Sequence, residues 1–173
     1  IGMPGSLSGT SVSENPINTT TYTVTGVNGP GCASSGLFAL TVLGNPAISI
    51  SGISSICIGQ SALLTATGAL SYSWSPSSGL NTISGAQVIA APLASQTYQA
   101  LGTNANGCTA TGVFNLSVNP LPNLSISGVL GICSGQSFTV SGLGASSYIW
   151  LPTSATGTSF SQTPSTTTVY TLI

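Results

Sequence analysis

The sequence predicts an all-β protein, a tandem array of antiparallel β-sandwiches with one complete repeat between two partial copies. An internal period of about 76 residues is the first observation, and such a period defines a repeat architecture. The second is the alternation of apolar residues with Ser and Thr in short runs, which is typical of half-buried strands. Turns rich in Gly, Pro and Asn separate these runs, as in sandwiches.

The period is visible when residues 57–108 are compared with the sequence on either side. The pairs related by 76 positions include Cys57 and Cys133, Trp74 and Trp150, Tyr22 and Tyr98, and Cys32 and Cys108. After Pro152 four residues are missing, so Tyr170 matches Tyr98 with an offset of 72. A deletion of this kind is tolerated in a surface loop.

The period divides the chain into three parts. Residues 1–44, the first segment, correspond to the C-terminal part of a repeat; residues 45–118, the middle repeat, form a complete copy; and residues 119–173, the third segment, correspond to the N-terminal part. Short proline-containing linkers at 45–46 and 119–122 separate them. Proline disfavours helix and restricts the residue before it, which suits a linker.

About seven short strands are predicted in the middle repeat. The apolar residues that mark them are Ile48, Ile50, Ala62, Leu64, Ala66, Leu70, Tyr72, Trp74, Val88, Ala90, Tyr98, Ala100, Phe114, Leu116 and Val118. Leu70, Tyr72 and Trp74 alternate with serines, so we expect these three to share one face of a strand.

The composition excludes most chemistry. The chain has no Lys, Arg or His and a single acid, Glu14. General acid–base catalysis needs a titratable group positioned against the substrate, and no His or Lys is present to activate a Ser or Cys. We therefore expect that the protein is not an enzyme and that it binds no cofactor. The chain has neither the clusters of carboxylates nor the Cys/His sets that usually bind metal ions, and it has no Lys or Arg to bind the phosphates of nucleic acids. No apolar run is long enough to insert into a membrane.

Four motifs resemble those of a known family. They are Cys-x-Gly-Gln-Ser from Cys57, Tyr-x-Trp-x-Pro from Tyr72, Pro-x5-Tyr from Pro92 and Asn-Gly-Cys ending at Cys108. The chain resembles the immunoglobulin-like (PKD-like) tandem repeats of large surface and adhesin-type proteins exported by the type IX secretion system of Bacteroidota. The resemblance implies immunoglobulin-like sandwiches in extracellular stalks, adhesins or filaments at the cell surface, without a common catalytic residue.

The four cysteines are spaced by 25, 51 and 25 positions and no histidine accompanies them, which favours structural disulfides over a metal or redox site. We expect Cys57 to pair with Cys108 inside the middle repeat. Closing that loop stabilises a domain by roughly 4 kcal/mol. Cys32 and Cys133 lack a matching strand, so we expect their partners outside the chain or across a subunit junction.

The aromatic residues are predicted to be structural. Trp74 and Trp150 share a face with neighbouring tyrosines, so core packing is favoured over a ligand platform. Tyr98 follows Pro92 by six residues, and its counterparts are Tyr22 and Tyr170. For these three we expect core positions with a tyrosine-corner hydrogen bond to nearby backbone, rather than exposed rings that stack on sugars.

Two functions are compatible with these observations. The first is a structural module of an extracellular filament or stalk, whose partners are further copies of itself or neighbouring repeats of a longer chain. The second is an adhesin module that binds surface glycans through its loops. Residues 77–85 and 153–159 offer only small, uncharged or apolar residues, whereas binding surfaces usually carry aromatic or charged hot spots, so the structural function is favoured.

Overall fold

The computed structural model describes residues 9–173, and these residues form β-strands and turns without a helix. The strands are β1 (Thr20–Val27), β2 (Ala33–Leu40), β3 (Ser49–Ser51), β4 (Ser55–Cys57), β5 (Ala62–Thr67), β6 (Ser71–Ser75), β7 (Gln87–Ala90), β8 (Gln96–Thr103), β9 (Thr109–Asn119), β10 (Ser125–Gly128), β11 (Phe138–Leu143), β12 (Ile149–Leu151), β13 (Ala155–Thr156), β14 (Ser159–Gln162) and β15 (Thr171–Leu172). The all-β prediction is therefore confirmed.

The chain divides into two compact units, residues 1–118 and residues 119–173. The first contains the hairpin β1–β2 and the middle repeat, and the second is the third segment. Residues 1–8, at the start of the predicted first segment, lie outside the described residues.

In the middle repeat two sheets pack on one core. One has the strand order β3-β5-β7 and the other β4-β9-β8-β6. The buried residues come from both sheets: Ile56, Ala62, Leu64, Ala66, Tyr72, Trp74, Val88, Ala90, Tyr98, Ala100 and Leu116. Two face-packed sheets with alternating inward residues are the arrangement of a β-sandwich.

Leu70 is an exception to the predicted pattern. We expected it to share the inward face of β6 with Tyr72 and Trp74, but β6 begins at Ser71 and the Leu70 side chain is 77% exposed. The reason is a bend over residues 68–70, which starts at Gly68 with φ 102°. The alternation of a pleated strand does not extend into a bend.

The first segment contributes only a hairpin. β1 and β2 pair antiparallel, with Tyr22 opposite Phe38 and Val24 opposite Gly36, and they form a separate two-stranded sheet. Their connection repeats that of β8 and β9 in the middle repeat. The amide of Cys32 donates to the Asn28 side chain at 2.8 Å, as the amide of Cys108 does to the Asn104 side chain at 3.0 Å.

The third segment contains two three-stranded sheets, β10-β11-β14 and β13-β12-β15. Val140, Trp150 and Phe160 form its buried cluster, with Phe138, Ala155, Tyr170 and Leu172 packed around them. Its last strand, β15, has two residues, whereas β8 in the middle repeat has eight. The third segment therefore has the same two-sheet plan with a smaller core.

Candidate functional site

The two tryptophans are core residues in both units, as predicted. Trp74 and Trp150 are buried, and each indole N–H donates to a backbone carbonyl, Gly85 O and Gly157 O respectively, at 2.9 Å. Trp150 also stacks on Phe160, with ring centroids 5.3 Å apart. Buried indoles with a satisfied N–H stabilise the core and leave no platform for a ligand.

Tyr98 is buried as predicted, but the expected tyrosine corner is wrong. Its hydroxyl donates to Ser78 O at 2.8 Å, a carbonyl twenty residues upstream in the loop after β6. Local hydrogen bonds belong instead to Tyr72, whose hydroxyl accepts from the Ala69 amide and donates to the Ala69 carbonyl. Tyr148 makes the same two bonds with Ala145. Burial raises the pKa of Tyr98, since desolvation disfavours the phenolate.

The counterparts of Tyr98 are less buried. Tyr170 is half-buried and its ring lies 5.1 Å from Phe160 and 5.5 Å from Phe138, so it belongs to the edge of a core. Tyr22 is half-buried on the hairpin and is not part of a core cluster in the described residues. The core prediction for Tyr22 is wrong, because in residues 9–118 no second sheet packs on the hairpin to bury this side chain.

The predicted disulfide between Cys57 and Cys108 is also wrong, because both are free thiols, as are Cys32 and Cys133. Cys108 immediately precedes β9, whereas the end of β9 pairs with the segment before Cys57: the Ser117 amide donates to Ser54 O at 2.8 Å. Each extended residue advances about 3.3 Å, so the two cysteines are more than about 12 Å apart. A disulfide requires Cα atoms within about 7 Å.

Each end of the middle repeat therefore presents one cysteine. Cys108 lies where the chain enters the repeat, with its Sγ 3.9 Å from Leu43 O, and the Asn104 side chain donates to Gly44 O at 3.0 Å. Cys57 lies near the end of β9, where the chain leaves it. That Cys32 and Cys133 each pair with a cysteine outside the chain or across a subunit junction stays a prediction.

Some polar side chains of the loops considered for glycan binding are hydrogen-bonded within the protein. In residues 77–85 the Asn81 side chain accepts from the Ile89 amide at 2.7 Å, and Thr82 and Ser84 hydrogen-bond each other. Phe38, in β2, is the one exposed aromatic side chain among residues 9–173, and it lies far from these loops in sequence. A surface that stacks on sugar rings is therefore not formed by the loops.

Charged groups do not converge anywhere in the described residues. Glu14 is exposed, and no group of three or more His, Cys, Asp or Glu side chains could hold a metal ion in residues 9–173. The remaining candidates for a functional site are two open apolar surfaces, one in each unit.

The first open surface is a groove in the third segment, with a cavity of about 480 Å³. Its lining includes Tyr170, beside β15, Ile132, in a stretch without strand structure, and the half-buried Phe138. In the middle repeat the equivalents of Tyr170 and Ile132 are Tyr98 in β8 and Ile56 in β4, and β9 lies between those strands. The groove is therefore the position of a β9-type strand.

The second open surface is the inward-type face of the hairpin in the first segment. It contains Tyr22, Val24, Phe38 and Leu40, which correspond to core-facing positions of β8 and β9. Phe38 is 58% exposed, and no second sheet covers this face in residues 9–118. We call this surface, formed by Tyr22, Val24, Phe38 and Leu40, the hairpin face.

The sequence analysis did not single out Ile56, Leu80 or Ile132. Ile56 is buried in β4, and Leu80 packs against the same core from the loop after β6. The signal for Ile132 was present in the period, since it follows Ile56 by 76 positions. Short strands such as β4, with three residues, leave too little alternation to be recognised.

Residues 9–173 contain no helix of the length and apolarity that a membrane span requires. Comparison with known proteins adds no relative, because neither a family model nor a curated protein sequence matches this chain.

Proposed function

We propose that this chain is a structural module of an extracellular cell-surface filament or stalk, built from tandem immunoglobulin-like domains. The observation that carries the proposal is the recurrence of one set of core contacts along the chain. The Trp74–Gly85 and Tyr72–Ala69 hydrogen bonds reappear as Trp150–Gly157 and Tyr148–Ala145 with nearly the same lengths. Repeats that each need a neighbour or a continuing strand are suited to extended assemblies.

The surface chemistry supports a mechanical role. The chain has one acid and no base, so the outward faces of the strands carry Ser, Thr and apolar residues instead of ion pairs. Surfaces of net charge near zero do not repel one another, which favours lateral packing of neighbouring modules. Both apolar open surfaces lie in the segments outside the complete repeat, where successive units would meet.

The adhesin alternative has less support. The Thr82 and Ser84 hydroxyls and the Asn81 side chain are bonded within the repeat, and among residues 9–173 the one exposed aromatic ring, that of Phe38, lies on the hairpin face. A glycan array probed with the purified chain tests this alternative directly. Specific glycan binding that is lost when residues in 77–85 are replaced by alanine would favour the adhesin function.

The test of the filament function is electron microscopy of native cell-surface material with an antibody against the middle repeat. The eleven residues of β9 span the repeat from its entry to its exit, so we expect a domain spacing of about 37 Å along labelled filaments. Label that is confined to the cell interior, or that is diffuse without filaments, would contradict the proposal.

A further inference from the structure

The chain enters the middle repeat through residues 43–47, the entry segment, and the turn between β8 and β9 contacts its start. The Asn104 side-chain amide donates to Gly44 O at 3.0 Å, and Cys108 Sγ lies 3.9 Å from Leu43 O. Two consecutive backbone carbonyls of the entry segment are therefore in contact with one turn. Connecting segments are usually more mobile than the elements they join, whereas this one is bonded at its start.

The orientation of the Asn104 side chain is fixed by its other partners. Its Oδ1 accepts from the backbone amides of Asn106 and Cys108, each at 3.0 Å. Backbone N–H groups only donate, so they must face the oxygen of the carboxamide, and its NH2 group is left to face Gly44 O. Asn104 is half-buried, and its one side chain thus joins the turn to the entry segment.

The end of the entry segment is seated by a close backbone contact. Gly68 has φ 102°, and a Cβ at this position would overlap Ala47 O. The third segment repeats the contact, since Gly144 has φ 101° and a Cβ there would overlap Asn123 O. Glycine adopts this conformation readily and permits so close an approach. The entry segment is thus held at both ends, by Asn104 and by Gly68.

The hairpin is bonded up to the residue before the entry segment, because the Val42 amide donates to Thr19 Oγ1 at 3.1 Å. We propose that the β8–β9 turn is the docking surface for the entry segment and that Asn104 is the positioning residue that clamps it. Residues 43–47 are then a rigid connection, and the hairpin moves together with the middle repeat. This coupling belongs to a single chain, so it goes beyond the proposed function and is tested without filaments.

The substitution Asn104→Asp removes the clamp and keeps the turn. A carboxylate still accepts from the two turn amides, but it has no donor for Gly44 O and repels that carbonyl. The matched control is Asn28→Asp, which adds the same charge. The Asn28 side chain accepts from the Cys32 amide in the equivalent turn, and its NH2 group is bonded to no carbonyl in residues 9–173.

Backbone NMR relaxation of the 173-residue chain measures the order of residues 43–45. We expect order parameters of about 0.85, as in rigid backbone, for the wild type and Asn28→Asp, and values below about 0.6 for Asn104→Asp at neutral pH. The amides of β8 and β9 report whether the fold is retained. A mobile entry segment in the wild type, or one that stays rigid in Asn104→Asp, would overturn the proposal.

Acid should restore the missing donor in Asn104→Asp. Carboxyl groups titrate near pH 4, and a protonated carboxyl at this position donates to Gly44 O while its other oxygen accepts. The chain has one other carboxyl side chain, Glu14, and no His, so little else titrates below about pH 6. We expect the order of the entry segment to return toward that of the wild type below about pH 4. A segment that stays mobile in acid would contradict the donor role of Asn104.

The wild type alone provides a further test, which does not depend on the folding of a variant. We expect the NH2 protons of Asn104 to exchange with solvent roughly tenfold more slowly than those of Asn28, because only the former donate to a backbone carbonyl. Equal exchange of the two groups would refute the clamp. A rigid entry segment in a protein that forms no filaments on cells would refute the proposed function and leave the clamp standing.

Discussion

The middle repeat and the third segment contain matching residues, but these residues are buried to different extents. Ile56 and Ile132 occupy corresponding positions, yet Ile56 is 5% exposed and Ile132 is 39% exposed. The difference follows from β9, which covers the Ile56 region and has no counterpart in the third segment. The stretch around Ile132 forms no strand where a β9-type neighbour is absent, which is consistent with a sheet strand being stabilised by its partners more than by its own propensity.

The largest expected effect comes from the tryptophans. Removal of a buried Trp side chain costs about 3–5 kcal/mol. We expect Trp74→Ala to destabilise the middle repeat by this amount, and Trp150→Ala to unfold the third segment entirely, since its buried cluster has three residues. Thermal unfolding followed by limited proteolysis would report each unit separately. A third segment that survives Trp150→Ala would show that its core extends beyond this cluster.

The isoleucine pair tests the role of the missing strand directly. Ile56→Ala removes a buried side chain and should cost about 2–4 kcal/mol. Ile132→Ala removes a side chain that is partly in solvent, so we expect less than about 1 kcal/mol in the monomer. Chemical denaturation of each variant measures the difference. Equal costs would mean that the groove is already covered in the monomer.

Tyr98 should make the stability of the middle repeat depend on pH. Its pKa is raised by burial above the ordinary value of 10.0, so the folded state keeps the proton when the unfolded state loses it. The unfolded state then binds fewer protons, and stability should fall as pH rises from about 10 through the folded pKa.

Melting temperatures between pH 9 and pH 12 measure this effect for the wild type and Tyr98→Phe. The Phe variant should lose about 1 kcal/mol at neutral pH, because Ser78 O loses its hydrogen bond, and should show a shallower decline at high pH. The same decline in both proteins would contradict the assignment to Tyr98.

The smallest expected effect concerns the cysteines. Cys57→Ser and Cys108→Ser should each change the stability of the middle repeat by less than about 0.5 kcal/mol, because both thiols are free and away from the core. A disulfide between them would add roughly 4 kcal/mol.

Mass spectrometry after mild oxidation tests where disulfides form. We expect links only between separate chains, and none between Cys57 and Cys108 of one chain. Because each end of the repeat carries one cysteine, we expect Cys57 or its counterpart Cys133 of one chain to link to Cys108 or its counterpart Cys32 of another chain. An intrachain Cys57–Cys108 bond in the folded protein would contradict the structure of β4 and β9.

Much of the fold could be predicted because its signals are local. The alternation in β5, β6 and β8 identified these strands and their buried faces. The internal period then predicted that Trp150, like Trp74, is a core residue. The failures involve contacts between distant parts of the chain. The Tyr98 hydroxyl finds Ser78, and Cys57 and Cys108 lie far apart, because strand order places them there.

The sequence by itself determined the all-β class, the internal period and most residues of the core, since periodicity and composition are properties of neighbouring residues. Only the tertiary structure decided which strands are neighbours. It therefore showed that Cys57 and Cys108 are apart, that Tyr72 rather than Tyr98 forms the local hydrogen bonds, and that β4 lies beside β9. Strand order is set by the pairing of residues far apart in sequence, and the stability of each pair depends on burial that no local pattern encodes.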